Sequence, residues 1–160
     1  MKLEIKKLLG TGLSDGYGAS NYGKTTRAGF PLETSDFESE LGKYHDEWAA
    51  HQLGGGQELV KLSNGEMATR VYAGGTLDSD LLQKLGITSD NVSDKLKFFL
   101  GKLGGKTRLD EEIELTEERW KYSYKILEKV KEIPVLVGAE KITYDDSLVF
   151  VHFIINSPVK

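Results

Sequence analysis

Trp120, Tyr122, Tyr124 and Ile126 alternate with Lys121, Ser123 and Lys125. Successive side chains of a strand point to opposite faces, so this pattern predicts a strand with one aromatic face. The Glu- and Lys-rich flanks over 109–132 would suit a helix as well, but large aromatics at alternate positions fit a pleated surface better. Two further β-prone runs, Glu58 to Leu62 and Met67 to Tyr72, flank Ser63-Asn64-Gly65. Asn-Gly is a hairpin signal because both turn residues accept positive φ. Gly74-Gly75 is expected to end the returning strand. Ile133 to Val137, Lys141 to Tyr144 and the apolar run Leu148 to Ile155 complete the strands, with Asp145-Asp146 as a turn.

Between these blocks the period becomes helical. Val92, Leu96, Phe99, Leu100 and Leu103 recur at i, i+4, i+7, i+8 and i+11, one stripe of a helix over 89–104. Ser89 or Asp90 is its expected cap and Gly104-Gly105 its stop. Leu77, Leu81, Leu82 and Leu85 predict a helix over 77–86, with Thr76 as N-cap and Gly86 just past its end. Leu3, Ile5, Leu8 and Leu9 suit a short helix over 2–9. Residues 10–31, with six glycines from Gly10 to Gly29 and Pro31 at the close, read as a long irregular loop.

The two β-rich parts match at an offset of 82 residues: Gly56-Gln57-Glu58-Leu59-Val60 aligns with Gly138-Ala139-Glu140-Lys141-Ile142, and Val71 with Phe153. This predicts a pseudo-repeat, approximately 44–75 and 120–157, around a pseudo-two-fold axis. The glycine of each Gly-x-Glu is a bulge or close-approach position. Glu58 and Glu140 would then occupy equivalent places and could line one cleft, where two nearby carboxylates split their pKa values as acid–base sites require. The alternative is that each is a strand-end acceptor or a partner of a Lys or Arg.

The run Tyr44-x-Asp46-x-Trp48, Gly56-Gln57-Glu58-x-Val60, Asn64-Gly65 and Tyr72-x-Gly74, followed by Trp120-x-Tyr122-x-Tyr124 and Gly138-Ala139-Glu140-x-Ile142, resembles an uncharacterised bacterial and archaeal domain family. That family shows aromatic-x-Asp-x-aromatic strands and repeated Gly-x-Glu-x-Val/Ile hairpins, and some members are fused to helix-turn-helix regulators. The resemblance spans roughly residues 35–155. The chain departs from it at Ala68, Thr69 and Arg70, where the family often has Trp, and it shows no helix-turn-helix module. The resemblance implies a fold and no reaction.

Length and composition narrow the function classes. The 160 residues suit a single domain, 1–160. Net charge is −4, from 21 Lys+Arg against 25 Asp+Glu, which disfavours a nucleic-acid partner. Without cysteine there are no disulfides, thiol nucleophiles or thiolate metal sites, a composition compatible with the cytoplasm. Leu148 to Ile155 is the longest apolar run, far short of a membrane span, and the charged N-terminus lacks a signal-peptide h-region. The expectation is a soluble cytoplasmic protein.

Several motifs invite chemistry. Gly18 to Thr25 fits G-x-x-x-x-G-K-[ST] letter for letter. A phosphate-binding loop needs a buried strand before it and a helix after it, and Gly29 and Pro31 leave no room for the helix. His45, Asp46 and His51 are metal-ligand types, but their spacing matches neither one helix face nor one strand face. No metal and no cofactor are expected. Gly-x-Ser-x-Gly does not occur.

The sequence therefore predicts an α+β fold, a mostly antiparallel sheet from two pseudo-repeated hairpin units with two helices between them. The leading function is binding of a small molecule or protein partner, possible regulation and homodimer formation being left open. Tyr44, Asp46, Trp48, Tyr72, Trp120 and Tyr122 are the candidate ligand-binding residues. The rival is a small enzyme using Glu58 and Glu140 as general acid and base.

Overall fold

The alternating runs become strands of one sheet in the computed structural model, which describes residues 1–20, 22–49 and 52–159. Among the described residues there are nine strands: β1 Gly23–Arg27, β2 Phe30–Ser39, β3 Gly42–Trp48, β4 Leu53–Leu62, β5 Met67–Thr76, β6 Ile113–Glu117, β7 Trp120–Lys129, β8 Leu136–Tyr144 and β9 Ser147–Val159. Every pairing is antiparallel, in the order β1-β2-β3-β4-β5-β9-β8-β7-β6. Two meanders thus meet through their last strands, β5 and β9. The helices are α1 Leu3–Gly12, continued by a π-helical turn Leu13–Gly18, then α2 Ser79–Lys84 and α3 Ser89–Leu103. The α+β reading with an antiparallel sheet holds. No helix among the described residues is long and apolar enough to cross a membrane.

The two central hairpins share one register. Glu58 pairs with Arg70 across β4 and β5, and Glu140 pairs with His152 across β8 and β9, each position 82 residues from its counterpart. Tyr72 and Ile154, also 82 apart, are register partners where β5 meets β9. Each Gly-x-Glu glycine lies under an aromatic ring: a Cβ at Gly56 would meet the Tyr72 hydroxyl, and one at Gly138 would meet the Tyr124 ring.

One face of the sheet carries the helices and both apolar clusters. Leu96, Phe99 and Leu100 of α3 cluster with Trp120, Tyr122, Tyr124, Ile142 and Ile154 of the sheet. Ile5, Leu8 and Leu9 of α1 cluster with Tyr44, Val60, Leu62 and Ala68. Burial of these stripes, rather than intrinsic propensity, holds the helices in place.

Residues 10–31 are not an irregular loop. They complete α1, form the π turn and β1, and begin β2. Their glycines serve close packing: a Cβ at Gly12 would enter the Tyr44 ring, and one at Gly10 would overlap the Gly105 carbonyl at 2.6 Å. Lys24 of the phosphate-loop pattern sits in the exposed β1 strand. Other boundaries shift as well. Asp78 caps α2 in place of Thr76, and Thr88 caps α3 in a capping box with Asn91, in place of Ser89 or Asp90. Gly74-Gly75 lies inside β5, and the strand expected over Ile133 to Val137 starts only at Leu136, running unbroken to Tyr144. β6 and most of β2 were not foreseen: their alternation is short or polar.

Candidate functional site

Several large charged side chains are buried on the helix-covered face. Glu58, Arg70 and Glu140 are fully buried, and Arg108 is 3% exposed. Strand geometry explains three of them, since Glu58, Arg70 and Glu140 occupy inward positions of β4, β5 and β8. Arg108 arrives from the segment after α3. Gly104 ends the helix in a left-handed conformation, and Arg108 itself has φ 61°. Such backbone costs a non-glycine residue on the order of 1 kcal/mol and persists only when its surroundings fix it. Here the Arg108 carbonyl accepts hydrogen bonds from Arg70 Nη1 at 3.4 Å and Asn156 Nδ2 at 3.2 Å. Next door, the Leu109 carbonyl accepts from Tyr124 Oη at 2.9 Å, and Thr107 bonds the Tyr122 hydroxyl.

Arg108 links the two motif glutamates. Its Nε and Nη2 donate to Glu140 at 2.9 and 2.7 Å, a bidentate fork, and its Nη1 lies 3.6 Å from Glu58 Oε1. Glu58 accepts from Arg70, and Tyr122 Oη donates to Glu140 at 2.6 Å. Burial resists ionisation of Glu140, but the Arg108 charge and its hydrogen bonds outweigh it, with His152 nearby, and hold the carboxyl far below the usual range. The glutamates do approach one another, yet Glu140 is not the raised member of a carboxyl pair. The raised carboxyl is Asp46, pushed well up by burial and by the Glu58 charge, against a Tyr72 hydrogen bond and two arginines.

Beside this network opens a cleft of about 890 Å³ between the sheet, the π turn and the start of α3. Asp46, Tyr72, Arg108, Phe150 and His152 line its depth, and Tyr17, Tyr22 and Trp48 line its mouth. The three mouth aromatics touch one another at centroid distances of 5.5–5.6 Å. Tyr72 donates to Asp46 Oδ1 at 3.0 Å and stacks 5.1 Å from the His152 ring. His152 is held below its ordinary pKa, chiefly by burial and with help from Arg108, against the pull of Glu140. Gly74 and Gly75 of β5 also line the cleft; each has positive φ and would drive a Cβ into a backbone carbonyl, of Val151 and Gln52 respectively.

Of the six residues predicted to bind a ligand, Asp46, Trp48 and Tyr72 line the cleft. Tyr44 is buried under α1, Trp120 packs on Tyr144 at 4.6 Å, and Tyr122 packs on Phe99 at 5.5 Å and holds Glu140. Glu58 and Glu140 lie behind the cleft wall, represented there by Arg108 and His152. Sequence reasoning missed Arg108, which sits in a short polar segment after a helix stop with no periodic pattern to mark it. His152 lies inside the apolar run Leu148 to Ile155, where no local pattern marks it as a cleft residue. His51 lies outside the described residues; His45 is bound to Asp36 at 2.7 Å on the opposite sheet face from Asp46. Among the described residues no three His, Asp or Glu side chains converge to hold a metal. Compared with protein families, curated proteins and solved structures, the chain matches none.

Proposed function

We propose that the chain is a binding module for a small, planar, uncharged molecule taken into the cleft between sheet and π turn. The observation that carries this reading is the cleft itself: about 890 Å³, within the range of ligand pockets, with aromatic walls and a few convergent polar groups at its floor. Among the described residues the floor supplies no unpaired charge. Two buried glutamates face two buried arginines, burial and the Glu58 charge resist ionisation of Asp46, and burial resists protonation of His152. A ligand charge carried down to this floor would lose its water without finding a partner there.

The rival that uses Glu58 and Glu140 as acid and base loses its support, since each carboxylate is occupied by an arginine behind the wall. We also read the shared register of the two hairpins as the mark of an internal duplication whose halves have diverged, Arg70 standing where the other half has His152. The resemblance to an uncharacterised domain family fits this hairpin pattern and adds no ligand.

2-Naphthol, a neutral planar probe, tests the reading. The chain has two tryptophans, one in the cleft wall and one in the core. Titration with 2-naphthol should shift the Trp48 indole N–H resonance and leave that of Trp120 in place. A probe that moves both equally, or neither, contradicts the proposal.

A further inference from the structure

Binding alone gives no use to the way two titratable side chains meet the cleft. Asp46 enters from β3 and His152 from β9, on either side of Tyr72 in β5. Tyr72 touches both, through its hydroxyl to Asp46 and its ring to His152. The buried edge of the imidazole is Nδ1, which faces Glu140 Oε2 at 3.6 Å. Glu140, gripped by Arg108, is a carboxylate and can only accept, so it favours the tautomer with the proton on Nδ1. Nε2 is then the bare nitrogen, on the ring edge that reaches the cleft. Asp46 is the opposite kind of group, a carboxyl in the cleft lining, met by the Tyr72 hydroxyl, whose ionisation burial and the Glu58 charge resist. The charged and titratable groups facing His152 are Glu140, Arg108, Tyr72 and, at longer range, Glu58; those facing Asp46 are Glu58, Tyr72, Arg108 and Arg70.

We propose that the cleft catalyses cofactor-free proton transfer on its ligand, with His152 Nε2 as base, the Asp46 carboxyl as acid, and Glu140 as the positioning residue for His152. This rests on the small-molecule reading above. The substrate class is an uncharged, largely planar carbonyl compound whose acidic C–H lies between the carbonyl and a carbon–carbon double bond. His152 takes the proton from that carbon. The electron pair of the broken C–H bond moves through the carbonyl to its oxygen, which takes the proton of Asp46 and gives a dienol. The dienol returns its O–H proton to the Asp46 carboxylate, its electrons shift along the conjugated system, and the imidazolium delivers its proton to the far carbon of the original double bond. The product is an isomer, both side chains end as they began, and no oxidant or reductant is needed. An acid and a base placed on one ligand are together able to supply roughly 10²–10⁴-fold each in rate.

The test uses 5-nitrobenzisoxazole, a neutral planar bicycle. Removal of its ring C–H proton by a base breaks the N–O bond and releases a coloured phenolate, an elimination whose atoms are those of the substrate. The wild-type protein should accelerate this reaction roughly 100-fold or more over the same concentration of imidazole. His152→Gln should lose most of that gain and Asp46→Asn about tenfold, with the circular dichroism of both variants unchanged from wild type. A wild type no faster than imidazole, or an undiminished His152→Gln, overturns the proposal. Should His152→Gln fail to fold, the ¹⁵N shifts of His152 in the wild type decide. The proposal requires a protonated Nδ1 and a bare Nε2, a preference that Glu140→Gln should erase, and the reverse tautomer overturns it. Binding of 2-naphthol without elimination removes the catalytic inference alone; no shift at Trp48 removes both.

Discussion

Glu140 and Asp46 are both buried carboxyls, and the neighbours they meet drive their protons in opposite directions. The Arg108 charge holds the Glu140 carboxyl far below its usual range; burial and the Glu58 charge push that of Asp46 well above its own. The consequences for stability have opposite sign. Glu140, whose folded pKa is depressed, contributes stability above its ordinary value of 4.5, and that contribution is lost as pH falls below it. Asp46, whose folded pKa is raised, costs stability as pH rises above its ordinary 3.8, because the unfolded chain releases that proton more readily. Asp46→Asn keeps an acceptor for Tyr72 and removes the titration. The stability difference between Asp46→Asn and wild type should therefore widen in favour of the variant from pH 4 to pH 7, measured by urea denaturation; a flat difference contradicts the assignment. Arg108→Met should be far worse, since it strands Glu140 and weakens the hold on Glu58. Removing one partner of a buried ion pair typically costs about 3–5 kcal/mol, and a loss below about 1 kcal/mol in the same assay would show the network to be solvated. At this scale the sequence marked Glu58, Glu140, Asp46 and Tyr72 through their short motifs. It could not mark Arg108, whose importance arises from a left-handed backbone turn that aims a loop residue back into the sheet.

The glycines decide how the elements fit. Ala is a better helix former than Gly by about 1 kcal/mol, so Gly→Ala inside a helix ordinarily stabilises. Gly101 in α3 has open space around a new Cβ, whereas Gly12 at the end of α1 faces the Tyr44 ring. Gly101→Ala should raise stability by up to about 1 kcal/mol. Gly12→Ala should lower it by roughly 1–3 kcal/mol through overpacking. Thermal denaturation of both variants checks this, and a stabilised Gly12→Ala would mean that α1 does not lie on β3 as described. Leu96 is buried and Lys97 lies at the cleft edge, so Leu96→Ala should cost about 2–5 kcal/mol and Lys97→Ala little. The strands β4, β5, β7 and β9 and the α3 stripe were legible because their periods are long and clean. The stretch 10–31 was not, because glycine signals a turn when read locally, while here it admits a ring or a carbonyl from an element distant in sequence. No local pattern carries that information.

For the whole molecule, two meanders joined at β5 and β9 place a paired-charge network at the centre of the sheet and a cleft beside it. The antiparallel architecture followed from the alternation, and the shared hairpin register from the 82-residue offset. The cleft did not, because its walls come from the π turn, β2, β3, β4, β5, α3, the Arg108 segment and β9, which no sequence window contains. Charges around the mouth, Glu33, Asp78, Asp90 and Lys97, lie toward solvent, where salt screens them. Selection among ligands is therefore left to the floor, whose arginine is already paired with glutamates. Calorimetric titration with three ligands of one shape, 2-naphthol, 2-naphthoate and the 2-naphthylmethylammonium ion, reads that floor most directly. Neutral 2-naphthol should bind at least about tenfold more tightly than either ion, a difference of about 1.4 kcal/mol; tighter binding of the anion or the cation would contradict the account.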